Sequence, residues 1–172
     1  MKTQSVSGKL EKVSTELLVV FAADTADKKQ GKPAIKVLAG GAVAKVAVPI
    51  LDSGEFTAGS CETALLHAPA GFKAKRILLV GLDKLTTAEV RKAAGAAVRF
   101  AKPRKLRELA IAVPEGLDPA AAARAVVEGA YIGDFDPDTY RSDRKDQSIE
   151  QLKIVGSGAA VEAGVREGVI LG

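Results

Sequence analysis

Few side chains in this sequence are of the kinds that make and break bonds. His67 is the only histidine and Cys61 the only cysteine. Nucleophilic catalysis needs a Ser or Cys held beside a base, and this pair leaves few combinations. His67 closes an apolar run and reads as a strand-end residue bonded to a neighbour. Cys61 reads as a small core residue at the edge of the same strand. Divalent-metal hydrolysis needs several carboxylates or histidines converging on the ion. Asp134, Asp136 and Asp138 have the D-x-D-x-D look of a calcium loop. The later glycine and the terminal bidentate Glu are missing at the EF-hand offsets, and Pro137 interrupts the run. A single cysteine excludes an intrachain disulfide and a cysteine zinc site. No catalytic, cofactor-binding or metal-binding residue is assigned.

Two glycine segments invite a test as phosphate loops. Val80–Gly81–Leu82–Asp83 follows a strand and precedes a helix. It lacks the repeated glycines of a dinucleotide fingerprint and the Gly-Lys-Ser/Thr of a P-loop. Gly40–Gly41 lies in an apolar run, and macro domains, which bind ADP-ribose, carry a similar glycine-rich turn before a helix. Close helix packing is the simpler expectation for this pair. Two runs are locally basic, Lys102–Arg107 and Arg141–Lys145. Such runs can contact phosphates. A solvated helix end and a solvated loop explain them as well, and neither run contains a stacking aromatic.

The elements that would position these residues follow from periodicity and punctuation. Thr15–Ala22 is an apolar, Val- and Leu-rich run that reads as a buried strand, with Met1–Ser7 as a polar edge strand before it. Ala34–Leu51 reads as a helix with Gly40–Gly41 inside it. Cys61–His67 and Arg76–Val80 read as strands, the second closed by Gly81. Thr86 followed by Glu89 predicts a capping box. Val90, Ala94, Ala97, Val98 and Ala101 then share one helical face, and Pro103 ends the helix. Glu108–Val113 is a strand. Asp118–Pro119 is an N-cap followed by proline at the first helical position. That helix runs to about Gly133, with Gly129 and Gly133 placed for a close neighbour. Asp134–Ser148 reads as an exposed loop, Ile149–Val155 as a strand and Ala159–Leu171 as the last helix. Strands alternating with helices predict an α/β fold, a three-layer α/β/α sandwich. The short link between Cys61–His67 and Arg76–Val80 predicts an antiparallel pair, so the sheet is mixed and mostly parallel.

Composition sets the remaining bounds. The 172 residues carry 25 basic and 21 acidic side chains, a net charge of +4, with the signs interleaved. There is no Trp, so the core must be aliphatic. Met1–Ser5 has no apolar h-region behind it, and no apolar run approaches the roughly 20 residues that span a bilayer. A cytoplasmic protein with no membrane partner is expected.

Several segments, in order, resemble the N-terminal domain of the cytosolic leucyl aminopeptidases. They are Leu17–Leu18–Val19–Val20–Phe21, then Ala64–Leu65–Leu66–His67–Ala68–Pro69, then Lys75–Arg76–Ile77–Leu78–Leu79–Val80–Gly81–Leu82. Glu128–Gly129–Ala130–Tyr131 with Phe135 and Tyr140–Arg141–Ser142 continue the series. The resemblance implies a macro-domain-like fold over residues 1–156, with 157–172 beginning a helix that links to a catalytic domain. In that family the ligands for two divalent ions, zinc or manganese, and the catalytic Lys and Arg belong to the second domain, around an Asn-Thr-Asp-Ala-Glu-Gly-Arg motif. The chain contains no such motif, so no catalytic residue carries over. The implied parent is a hexameric metallo-aminopeptidase, and residues 1–172 are expected to be inactive alone. The resemblance gives this domain a role in packing and oligomer assembly. The alternatives are a stand-alone macro-like module binding a nucleotide or ADP-ribose, and a DNA-contacting domain.

Overall fold

A computed structural model describes residues 1–25, 34–135 and 148–171. The strands are β1 (Lys2–Val6), β2 (Leu17–Asp24), β3 (Ile35–Val37), β4 (Thr63–His67), β5 (Arg76–Leu82), β6 (Glu108–Ala112) and β7 (Gln151–Val155). The helices are α1 (Gly40–Ser53), α2 (Thr87–Ala101), α3 (Pro119–Asp134) and α4 (Ala159–Leu171). The strands form one sheet in the order β1-β7-β6-β2-β5-β4, with β3 added to β2. Neighbours β1–β7, β7–β6, β6–β2 and β2–β5 are parallel, and β5–β4 and β2–β3 are antiparallel. The sheet is therefore mixed and mostly parallel, as the sequence predicts.

Burial on both faces explains the continuous apolar runs of β2 and β5. Leu17, Val19, Phe21, Leu78 and Val80 face one core together with α2, α3 and Val161 and Val165 of α4. Leu18, Val20, Ala22, Ile77 and Leu79 face the other, which Val43 and Ala47 of α1 close. Three helices thus cover one face and α1 the other, giving the three layers of an α/β/α sandwich.

The helical layer is packed backbone to backbone. A methyl group on Gly129 would run into the Arg91 carbonyl, and one on Gly133 would meet the Gly95 backbone at 2.6 Å. Gly164 lies in the same way against Ala120. The anticipated glycine pair on α3 is the contact surface for α2. Caps form where the sequence places them. Thr86 Oγ1 accepts from the Glu89 amide at 3.2 Å, and Asp118 Oδ2 from the Ala121 amide at 3.0 Å. The Thr86 box is one-sided, because the Glu89 carboxylate accepts from the Ser60 hydroxyl at 2.8 Å.

Three sequence expectations need correction. Ala34–Leu51 is not one helix: Ile35–Val37 forms β3, and α1 begins at Gly40. Because β6 pairs with Leu17–Val19 of β2, the last residues of β2 are left for β3. Gly40–Gly41 opens α1, so the pair does not burden the helix interior. Gly81 does not close β5 but lies inside it, opposite Ala22 of β2. A methyl group there would collide with the backbone of Ala58 and Gly59, which crosses over the strand. Cys61 is not a strand-edge core residue. It is half-buried in the turn before β4 with φ of 60°, and its amide donates to the Gly81 carbonyl at 3.0 Å.

Candidate functional site

The parallel strands β6 and β7 end at a cleft of about 650 Å³. Its walls are the N-terminus of α1, the Gly8–Glu11 segment and the turns after β6 and β7. Clefts at the carboxyl ends of parallel strands are the usual ligand sites of open α/β sheets. Gly40 enters α1 with φ of +57°, a conformation that favours glycine. A methyl group on Gly40 or Gly41 would meet nothing within 4 Å, so both glycines face open space. The N-cap residue Ala39 offers no side-chain acceptor to the free amides of the first turn.

One acceptor comes from across the cleft. Glu115 Oε1 accepts from the Gly40 amide at 3.4 Å, and the Glu115 amide donates to the Leu38 carbonyl at 3.0 Å. A carboxylate at a helix N-terminus is favoured by the partial positive charge there. It also holds the place an anionic ligand would take. Nothing in the sequence singles out Glu115. Its role depends on a contact between residues 75 positions apart, which no local pattern signals.

The other residues singled out for chemistry are dispersed. His67 is exposed at the end of edge strand β4, its backbone paired with Arg76. Asp134 belongs to α3; its Oδ1 accepts from the Ile149 amide at 3.1 Å and lies 3.5 Å from Lys102 Nζ. Asp136 and Asp138 lie outside the described residues. Among the described residues no group of three or more His, Cys, Asp or Glu side chains could hold a metal ion. No described helix is long and apolar enough to cross a membrane.

The basic run at the end of α2 is largely engaged within the fold. Lys102 Nζ donates to the Asp134 carbonyl at 2.7 Å. Arg104 stacks 3.7 Å above the Phe100 ring and donates to the Phe100 carbonyl at 2.8 Å. The second run, Arg141–Lys145, lies outside the described residues, as do Tyr140 and Ser142. Among the described residues, one electrostatic cluster links three helices. Glu128 accepts from Arg124 Nε at 2.7 Å and Arg91 Nε at 2.9 Å, and Arg124 reaches Glu167 at 3.8 Å. The bond from Arg124, with Arg91 behind it, holds the Glu128 carboxyl below its ordinary value against the opposing effect of burial. The bond from Ser60, with Lys92 nearby, does the same for Glu89. Both are interhelix or loop ties on the outer helical surface, away from the cleft.

Known proteins match this architecture. A family model described as "Cytosol aminopeptidase family, N-terminal domain" matches residues 17–144. A "Probable cytosol aminopeptidase" of Acidobacterium capsulatum is 47% identical over 188 residues, covering 100% of this chain and 37% of that protein. The chain thus spans little more than a third of that relative's length. Among solved structures, a tomato leucine aminopeptidase mutant superimposes with a TM-score of 0.70 at 21% identity, over 96% of this chain and 35% of its own. An Oceanobacillus iheyensis macrodomain mutant superimposes with a TM-score of 0.65 at 12% identity, over 98% of this chain and 91% of its own. Those two likenesses show the fold, a macro-domain-like sandwich. The family model and the long, high-identity match to a relative show more: the chain belongs to the cytosol aminopeptidase family, as its N-terminal domain.

Proposed function

We propose that residues 1–172 are the non-catalytic domain of a metal-dependent aminopeptidase that releases N-terminal residues from peptides. One observation carries this reading: 47% identity along the whole chain to a cytosol aminopeptidase of which the chain spans 37%. On this reading residues 1–156 form the macro-like domain and 157–172 begin the link to a C-terminal catalytic domain. That domain would hold two divalent ions, zinc or manganese, and the parent would be a cytoplasmic hexamer. The role of the present domain is packing on its catalytic partner and assembly. The test is hydrolysis of Leu-p-nitroanilide with added Mn²⁺. The full-length product of the source gene should be active and the 1–172 polypeptide inactive. Robust turnover by residues 1–172 would refute the division of labour, and an inactive full-length protein would refute the peptidase.

A second reading has one observation in its favour. The cleft beside Gly40–Gly41 has a volume within the range of small-molecule sites, and its two glycines are open to it. A macro-like module of this shape would take a nucleotide or ADP-ribose, whose phosphate must displace Glu115 from the Gly40 amide. Calorimetry with ADP-ribose decides it, since no heat at high micromolar ligand sinks the idea. The DNA-contacting alternative has less behind it, because Lys102 donates to the Asp134 carbonyl and Arg104 lies over the Phe100 ring.

A further inference from the structure

The two outer edges of the sheet differ. At one, β1 reads Lys-Thr-Gln-Ser-Val and is guarded by Lys2 and the polar Thr3, Gln4 and Ser5. At the other, β4 carries Ala64–Leu65–Leu66 between Thr63 and His67, with no Lys, Arg, Asp or Glu in the strand. Leu65 packs against the core on one face of the sheet, and Ala64 and Leu66 against the core on the other. All three stay half-buried. Among the described residues β5 is the only strand beside β4. The phase of that ladder decides which backbone groups are free. The Ala68 amide donates to the Lys75 carbonyl at 3.0 Å and the Gly81 amide to the Glu62 carbonyl at 2.7 Å. These pairs share the register of Ala64–Leu79 and Leu66–Ile77. Bonded pairs alternate along an antiparallel ladder, so Ala64 and Leu66 aim their N–H and C=O groups at β5. Those of Thr63, Leu65 and His67 point away from the sheet, and no described residue bonds to them. An unguarded edge of this kind is a template for one more strand.

We propose that the β4 edge is a docking site for an extended peptide substrate, which joins the sheet as one more strand. The inference rests on the reading of the chain as the non-catalytic domain of an aminopeptidase, and it gives that domain a part in holding the peptide away from the bond that is cut. Three observations select this occupant. Five residues of strand fall short of the roughly 1,200 Å² that a stable protein–protein interface buries, whereas an extended segment needs only its main chain and alternate side chains. Main-chain bonds are blind to sequence, and the family to which the chain belongs is one of aminopeptidases, which must take in peptides of many sequences. The half-buried side chains on both faces of β4 favour a segment that is apolar at successive positions.

The test uses the full-length product of the source gene and the peptide acetyl-Lys-Val-Thr-Val-Leu-Val-Lys-amide, whose blocked N-terminus leaves an aminopeptidase nothing to cut. Amide exchange read by mass spectrometry should slow in Thr63–His67 when the peptide is added at millimolar concentration, and should not change in β1. The same peptide N-methylated at two adjacent central residues loses a donor on each of its edges and should have no effect. Slowing by both peptides, slowing by neither, or an edge already protected without peptide would each overturn the proposal. Because the control alters the peptide and not the protein, a folding defect cannot mimic the result. The blocked peptide should also raise the KM for a Leu-led decapeptide severalfold and leave that for Leu-p-nitroanilide, which has no chain to reach β4, unchanged. Equal inhibition of both substrates, or of neither, would overturn the role in holding substrate. Hydrolysis of Leu-p-nitroanilide separates the two readings. Peptide-dependent protection in an inactive protein would sink the peptidase and leave the edge site standing, whereas an active protein without it would sink the edge site alone.

Discussion

Single residues set the tightest constraints on this fold. Gly81 is required because the backbone of Ala58 and Gly59 crosses over it. Replacing it with alanine should destabilise the protein by about 3 kcal/mol or more, since backbone cannot yield as a side chain can. Loss of soluble protein, or a large drop in the urea midpoint, checks this; a midpoint within experimental error of the parent would contradict it. Gly41 makes the contrast. A methyl group there meets nothing, so Gly41→Ala should raise stability by roughly 0.5 kcal/mol through the unfolded chain. Glu128 is a different case, an acceptor for two guanidinium groups. Its carboxyl is held below the ordinary value of 4.5, so its contribution is complete above that pH and is lost as pH falls through the lower folded value. Glu128→Gln should cost about 0.5–1 kcal/mol at neutral pH, with both arginines partly solvated. The gap to the parent should stay constant from neutrality down to about pH 5 and close in more acidic solution. Denaturant midpoints across that range give the answer, and a gap that widened on acidification would reverse the sign of the argument.

Among the elements, helices depend on their ends and strands on their place in the sheet. Thr86 and Asp118 each satisfy an amide that the first helical turn leaves open. Alanine at either position should cost about 1 kcal/mol, the usual worth of a cap, and serine at position 86 should restore most of it. Helix α1 has no side-chain cap, and its Gly40 amide leans on Glu115 instead. The caps of α2 and α3 were readable because they involve residues three apart. The entrance to α1 was not, because its acceptor lies in the loop before α3. The same distinction explains Ile35–Val37. Three residues carry too little periodicity to declare a strand, and β3 exists because β6 leaves the end of β2 unpaired.

For the molecule as a whole, the division of the sheet into centre and edges predicts its dynamics. Strands β2 and β5 are buried on both faces and paired on both sides, whereas β1 and β4 are edges. Amide exchange should therefore be slowest in Leu18–Phe21 and Ile77–Val80 and fastest, among strands, in β1, β4 and the short, singly paired β3. Exchange mass spectrometry resolves these segments, and equal protection at the edges would argue that another surface covers them. Three helices interlock through glycines on one face of the sheet, and α1 closes the other. The cleft lies where β6 and β7 end, beside the N-terminus of α1.

The sequence alone determined the layer class and its mixed sheet. A strand buried on both faces must be apolar at every position, as in Leu17–Ala23, and a helix on a sheet must be apolar on one stripe, as in Val90–Ala101. These are local demands, written in neighbouring residues. Tertiary structure decided that Gly81 is a strand residue under a crossing chain and that Gly40–Gly41 opens a helix. It also decided that Glu115 covers the amide at that opening. Each of these depends on segments far apart in the chain meeting at van der Waals or hydrogen-bond distance, and glycine looks the same in sequence whether it serves a turn, a close approach or an open cleft.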